Sequence, residues 1–357
     1  MSTLPQQRPA VAGLPAYIAG RRATGHQVAA LASNESHYPP LPKVLDAIAG
    51  AAARVNRYPD MATTALRDRI AVDAGITPNA VAVGPGSVGV LAQLLAAVCD
   101  PGDEVVFAWR SFEAYPILCQ IAGDVPVRVP LTPDERHDLA AMAAAITDRA
   151  RAVLLCSPNN PTGTAIREAE LVDFLDRVLV RVLVVLDEAY REFVGSESPD
   201  AVWMLGSRYP NLCVLRTFSK AYGLAGLRVG FAVARPRLAR GIRAASTPFG
   251  VSHLAQLAAL ASLRAKDELL ARVDTLVAER VRMLTALREQ GWVVPDTDAN
   301  FVWLPLGDRA TAFAAASARS GVLVRPFAGD GVRVSVGETE ATDDLLEVTA
   351  DWLSGDR

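Results

Sequence analysis

The run Val182-Leu183-Val184-Val185-Leu186 is apolar without interruption and ends in Asp187-Glu188-Ala189-Tyr190. A strand with one face in water alternates polar and apolar residues, so an unbroken apolar run marks a strand covered on both faces. Ala152-Val153-Leu154-Leu155-Cys156 and Cys213-Val214-Leu215-Arg216-Thr217-Phe218 read as strands of the same core. A helix is expected near 167–179, and another segment near 200–208, between these strands. That rhythm predicts βαβ units and an α/β fold: a mostly parallel, doubly wound sheet with helices on both faces. Strands are also expected at 80–83 and 104–107, and at 125–129, where Pro126 marks an edge strand because proline cannot donate to a ladder. Open sheets of this kind bind ligands beyond the carboxyl ends of their strands. The residues that follow each apolar run are therefore the candidate site.

The longest such segment is Thr217-Phe218-Ser219-Lys220-Ala221-Tyr222-Gly223-Leu224-Ala225-Gly226-Leu227-Arg228-Val229-Gly230. A lysine among small and apolar residues loses its charge readily, because burial disfavours the ammonium form. A neutral amine is what attack on an aldehyde requires. The hydroxyls of Thr217 and Ser219 and the guanidinium of Arg228 can together hold a dianionic phosphate. The strand at 80–83 runs into Gly84-Pro85-Gly86-Ser87 and an apolar helix at 88–98. That arrangement offers free backbone N–H groups and the positive end of a helix dipole; Gly86 permits close approach and Ser87 can donate a hydroxyl. Amine and phosphate cradle together point to pyridoxal 5'-phosphate (PLP). Asp187, at a strand end, can hold a pyridine nitrogen protonated. In the loop Ser157-Pro158-Asn159-Asn160-Pro161-Thr162-Gly163, two prolines and a glycine make Asn160 a fixed donor.

The Asn-Asn-Pro-Thr-Gly loop, the Asp-Glu-Ala-Tyr strand end and the Ser-Lys-x-x-x-Leu-x-x-Leu-Arg-x-Gly segment, in this order and spacing, resemble the fold-type I PLP-dependent aminotransferases. The likeness covers nearly the whole chain. It is greatest to the histidinol-phosphate aminotransferase branch, and within it to the actinobacterial aromatic-amino-acid (phenylalanine) aminotransferases. The resemblance implies that Lys220 carries PLP and shuttles the substrate's α-proton, with Asp187 on the pyridine nitrogen and Asn160 and Tyr190 on the ring 3'-oxygen. It implies that Gly86, Ser87, Val88, Thr217, Ser219 and Arg228 bind the cofactor around its phosphate, and that Phe112 stacks on its ring. It further implies a homodimer with shared active sites, in which Tyr58 reaches the phosphate of the other subunit. Asn34 is expected near the substrate carboxylate, Arg333 gripping that carboxylate through its fork, and Tyr17 as an aromatic lid. An exposed strand arginine is the ordinary reading of Val332-Arg333-Val334-Ser335-Val336, which sets Arg333 and Ser335 on one face. The strand at 227–234 is expected to run antiparallel.

Two departures from the branch stand out, the first bearing on a local turn and the second on the substrate. Ser36-His37 follow Asn34-Glu35 where Asn-Pro is common, and Val88-Gly89 follow Gly86-Ser87 where an acidic pair is frequent. With Trp109, Phe112, Tyr115, Val88 and Tyr17 near the motifs, a flat apolar pocket is expected. The substrates are then aromatic amino acids (Phe, Tyr, Trp) with 2-oxoglutarate. The alternative is histidinol phosphate, whose phosphate Arg325 could meet. A PLP-binding regulator would need a fused DNA-binding domain, and no basic segment is left for one. Decarboxylation or acyl-CoA condensation on the same fold is disfavoured by Arg333.

Residues 1–30 are expected to form an arm, 31–245 a large PLP-binding domain, and 246–357 a smaller α+β domain. That last unit has strands around 300–304, 322–325 and 332–337, preceded by long helices at 254–264 and 267–290 that stop at Gly291. The chain of 357 residues is 51% hydrophobic and 21% charged, with a net charge of -3 and a pI near 5.9, so no nucleic-acid partner is expected. Cys99, Cys119, Cys156 and Cys213 lack metal-type spacing and read as reduced core thiols of a cytoplasmic protein. The scattered histidines give no metal site. Prolines 5, 9 and 15 interrupt any leader-like core, and glycines break 80–99 into strand, turn and helix rather than a membrane span.

Overall fold

The computed structural model describes residues 6–14, 28–195 and 201–355. Its centre is a sheet of β2 (Val81–Gly84), β3 (Glu104–Trp109), β4 (Val125–Pro130), β5 (Ala150–Cys156), β6 (Leu183–Asp187), β7 (Leu212–Thr217) and β8 (Gly230–Val233), following β1 (Ala29–Ala30) in the chain. The spatial order is β2-β8-β7-β6-β5-β3-β4. All the neighbouring pairs from β7 to β4 are parallel, and β8 runs antiparallel to both β7 and β2. β4 is the edge strand that Pro126 foretold.

The unbroken apolar runs serve two cores at once. Val153, Leu155, Val184, Leu186 and Val214 face one, where the helices Thr64–Ala74, Glu168–Arg177 and His253–Arg264 pack through Ile70, Phe174 and Ala258. Their neighbours Ala152, Leu154, Val185, Cys213 and Leu215 face the other, under the helices Gly86–Val98, Ala114–Ala122 and Pro236–Ala244. Each fully buried Leu or Phe contributes roughly 1.5–3 kcal/mol relative to exposure, which holds the strand ends rigidly.

A second unit follows. β9 (Phe301–Leu304), β11 (Arg325–Phe327) and β12 (Gly331–Ser335) form an antiparallel sheet in the order β11-β12-β9, while β10 (Val322–Leu323) pairs in parallel with β1. The end of the expected arm is thus a strand of this unit. The helix Lys266–Glu289 spans both units: Leu269 packs with the large core, and Val273 onward with the second. The packing therefore changes near residue 270, because Val251 to Leu269 cover the large sheet, rather than at 245. Gly291, at φ 99°, ends this helix, with the N–H groups of Gly291 and Trp292 donating to Arg288 and Leu287. Tyr190, Phe193 and Ala221, carried by the large unit, join the second core. Among the described residues no helix is long and apolar enough to cross a membrane.

Candidate active site

A cavity of about 470 Å³ lies at the seam between the units, beyond the carboxyl ends of β5, β6 and β7. Asp187 is the last residue of β6 and is buried. Its Oδ2 accepts a hydrogen bond of 2.9 Å from the Tyr115 hydroxyl, and its Oδ1 has no partner among the described residues. Burial pushes its carboxyl up to about 6, against the Tyr115 bond and the Ala189 N–H, which pull it down.

Lys220 follows β7 on a tight loop closed by Gly223 N–H to the Lys220 carbonyl and Leu224 N–H to the Phe218 carbonyl, both 3.0 Å. Its Nζ donates to the Asn34 carbonyl at 3.3 Å and lies 5.8 Å from the centre of the Tyr190 ring. Burial, joined by the positive charges of Arg333 and Arg228, lowers its amine to about 7. Lys43 and Lys266, the other lysines of the chain, are exposed.

Beside Lys220 is a cluster of hydroxyls and one guanidinium. Thr217 Oγ1 donates to Ser219 Oγ at 3.0 Å, and Arg228 Nη1 donates to the same oxygen at 3.2 Å and to the Ala225 carbonyl at 2.8 Å. β8 pairs Gly230 with both Gly84 and Thr217, which brings the start of the Gly86–Val98 helix against this cluster. A Cβ on Gly230 would stand 2.5 Å from the Ser87 nitrogen, so only glycine allows that approach. Gly86 has φ 77°, and a Cβ there would meet Arg228 Nη2 at 2.4 Å. Ser87 and Val88 line the cavity; first-turn N–H groups of a helix have no acceptor within it.

Asn34 and Arg333 close the cavity from the other side, against Tyr190 and Asn160. Arg333 Nη1 donates to Asn160 Oδ1 and Nη2 to the Ala32 carbonyl at 3.0 Å. The alternation in β12 does set Arg333 and Ser335 together, and both are buried. Ser335 Oγ accepts from the Asn34 N–H at 2.8 Å and donates to Asn34 Oδ1 at 3.0 Å. Asn34 takes φ 52°, a conformation asparagine tolerates, and its Nδ2 donates to the Tyr190 hydroxyl at 3.1 Å. Asn159, not Asn160, clamps the loop: its Nδ2 donates to the Arg110 carbonyl and to Thr162, and its Oδ1 accepts from Ser111.

The sequence matches the family model of the aminotransferases of class I and II over residues 26–348. The chain belongs to that family. It is 58% identical over 350 residues to a protein of Streptomyces avermitilis named aromatic amino acid aminotransferase, with 97% of each chain covered. A protein of Streptomyces coelicolor with the same name is 58% identical over 353 residues, covering 98% of each. The crystal structure of histidinol-phosphate aminotransferase from Sinorhizobium meliloti in complex with pyridoxal-5'-phosphate matches with a TM-score of 0.88 at 28% identity, over 100% of both chains.

In this aminotransferase the expected residues fall into three groups. Ser87, Val88, Phe112, Asn160, Asp187, Tyr190, Thr217, Ser219, Lys220, Arg228 and Arg333 line one cavity, and Gly86 and Asn34 touch its lining residues. Tyr58 stays outside its own chain's cavity: it is 83% exposed and stacks on Phe249 at 4.5 Å. Tyr17 lies outside the described residues. Of the aromatics expected in the pocket, Tyr115 is fully buried behind the wall, and Trp109 packs edge-on against Phe107. Arg325 is bonded to Glu113 at 2.8 Å and does not line the cavity. Cys156, Ile117 and Leu118 line it without having been anticipated. Cys156 is the last residue of β5; the helix of Ile117 and Leu118 begins two residues after Phe112, and the only available signal for those two was a helical face whose direction a sequence does not reveal.

Proposed function

We propose that this aminotransferase uses PLP to move the amino group between aromatic amino acids (Phe, Tyr, Trp) and 2-oxoglutarate. The observation that carries the reading is one cavity holding a half-buried lysine, an unsatisfied strand-end carboxylate, a hydroxyl–guanidinium cluster and a buried arginine. The residues fit the cofactor. Asp187 Oδ1 is a buried acceptor with no donor among the described residues, as a protonated pyridine nitrogen would require. Ser87, Thr217, Ser219 and Arg228, with the close approach that Gly86 and Gly230 permit, suit a phosphate. When bound, PLP supplies a protonated ring that withdraws electron density from the substrate's α-carbon.

The chain's own groups do the rest. Lys220 would hold the cofactor's aldehyde carbon; with its amine lowered to about 7, a large share is neutral at working pH. Nζ would take the proton from the substrate's α-carbon as general base and later return a proton as general acid. Asp187 would keep the pyridine nitrogen charged, and Asn160 and Tyr190 would hold the ring's 3'-oxygen. Phe112 covers the ring face and excludes water. Arg333 orients the substrate carboxylate through a bidentate fork, with Asn34 beside it.

The aromatic preference is supported by the apolar wall of Val88, Phe112, Ile117 and Leu118, and by relatives of 49% to 58% identity that carry the aromatic name. A buried ring gains about 2–3 kcal/mol there. Histidinol phosphate would need a cation for its phosphate, and Arg325 is engaged by Glu113. The exposed Tyr58–Phe249 stack supports a homodimer in which Tyr58 serves the partner's cofactor phosphate. Free thiols at Cys99, Cys119, Cys156 and Cys213 support a cytoplasmic setting. The test is turnover of phenylalanine and of histidinol phosphate, each with 2-oxoglutarate. Phenylalanine should show the higher kcat/KM. A preference for histidinol phosphate of about tenfold or more would overturn the aromatic assignment.

A further inference from the structure

We propose that Tyr115 is a positioning residue for this reaction: its hydroxyl holds Asp187 through Oδ2 and so reserves Oδ1 for the cofactor's pyridine nitrogen. The proposal rests on the PLP reading above and adds a residue to it. Tyr115 stands on the helix Ala114–Ala122, fully buried, with its hydroxyl 2.9 Å from Asp187 Oδ2. Its ring cannot swing away. Phe107 from β3 meets it edge-on at 5.8 Å, and Phe112 meets it edge-on at 5.5 Å and 84°. The carboxylate is thus gripped on one oxygen by a side chain that is itself gripped on its flanks.

The spacing also matters. Phe112 lines the cavity, and Tyr115 follows three residues later. One short segment therefore sets both the surface that covers the cofactor ring and the carboxylate at its nitrogen. A shift of that segment would move both together.

Electrostatics point the same way. The titratable groups around Asp187 are Tyr115 from its helix, Cys156 opposite it on β5, Glu188 and Tyr190 from its own strand end, and Lys220 from the loop after β7. Burial raises the Asp187 carboxyl, and the Tyr115 hydrogen bond is the largest influence that lowers it. Burial raises the Tyr115 phenol well above its ordinary value, so it remains a donor across the working range. Without that donor the carboxyl rises further and spends more of its time protonated, a form that cannot hold the nitrogen's charge.

A hydroxyl that only satisfied the core would cost stability when removed, and nothing specific to Asp187. A double-mutant cycle separates the two roles. Tyr115→Phe, Asp187→Asn and the double variant are compared as full-length, PLP-loaded proteins. The readings are the PLP dissociation constant and the steady-state constants, taken between about pH 6 and 8.5. Tyr115→Phe should weaken PLP binding about five- to tenfold, more so toward low pH, and lower kcat about tenfold with the amino-acid KM little changed. The acid limb of its pH profile should move up by about one unit. In the Asp187→Asn background the same change should alter either constant by less than about twofold. Tyr115→Gln restores a donor without the ring, and should recover the acid limb toward wild type even where it lowers the melting temperature. Equal effects of Tyr115→Phe in both backgrounds, or an acid limb that does not move, would overturn the proposal. A wild-type chain that neither binds PLP nor transfers an amino group would instead remove the functional reading itself.

Discussion

Asp187, Asn160, Thr217 and Lys220 follow directly from the ends of parallel strands, each within a few residues of the buried run that carries it. Arg333, Ser335 and Asn34, on the facing wall, come from the antiparallel β12 and from the segment after β1. Ser335 and Asn34 hold one another across 301 positions of sequence. The first wall carries the groups whose ionisation the fold displaces: Lys220 down to about 7 and Asp187 up to about 6. The second wall presents a guanidinium, which stays charged at any working pH, locked by Asn160 and the Ala32 carbonyl. On the function proposed above, the first wall would move protons and the second would fix orientation.

Breaking the first wall should therefore cost chemistry. Lys220→Ala removes the amine and should lower turnover by about five orders of magnitude, with the cofactor's lysine-dependent visible absorbance gone and the melting temperature little changed. A variant that kept that band would reassign the lysine. Asp187→Asn keeps the shape and removes the charge; kcat should fall about 100- to 1,000-fold while PLP still binds. Turnover within about twofold of wild type would rule out its role at the ring nitrogen.

Breaking the second wall should cost binding. Arg333→Lys retains the charge but loses the fork, so kcat/KM for the amino acid should fall about 10- to 100-fold, mostly through KM. A loss confined to kcat would mean that this wall also takes part in the chemistry and would erase the distinction.

A subtler difference appears in the cofactor-free protein. Below about pH 7 both folded and unfolded chains protonate Lys220, and between about 7 and its ordinary 10.5 only the unfolded chain does. The unfolded state then binds more protons, so this residue makes stability rise with pH through that window, by up to about 1.4 kcal/mol per unit. Lys220→Met should flatten the slope measured by denaturant unfolding, whereas Arg333→Met, which removes one of the charges that lower the amine but leaves its burial, should only narrow the window. An unchanged slope in Lys220→Met would show that the lysine is not desolvated in the folded chain.

The first wall was legible in the sequence because parallel strands place function at their ends: the run to Asp187 and the segment around Lys220 name their own positions. β8 and the alternation in β12 also came through, since local pattern determines which face a residue joins. What stayed hidden depended on docking between distant segments. The Tyr115 bond to Asp187 spans 72 positions, and no periodicity announces it. The pairing of Ala29–Ala30 with Val322–Leu323 turned the end of an expected arm into a strand of the second unit. The change of core near residue 270 occurs inside one continuous helix, where composition does not shift. Ile117 and Leu118 needed the direction of a helix face, which tertiary packing sets.

The most direct test of the account is chemical. The PLP-loaded protein is reduced with borohydride, digested, and its lysines mapped by mass. Only Lys43, Lys220 and Lys266 can carry the label, and the first and last are exposed. The account predicts the reduced cofactor on Lys220 alone, with phenylalanine added beforehand discharging the label in proportion to amino transfer. A label on Lys43 or Lys266, or none on Lys220, would contradict it.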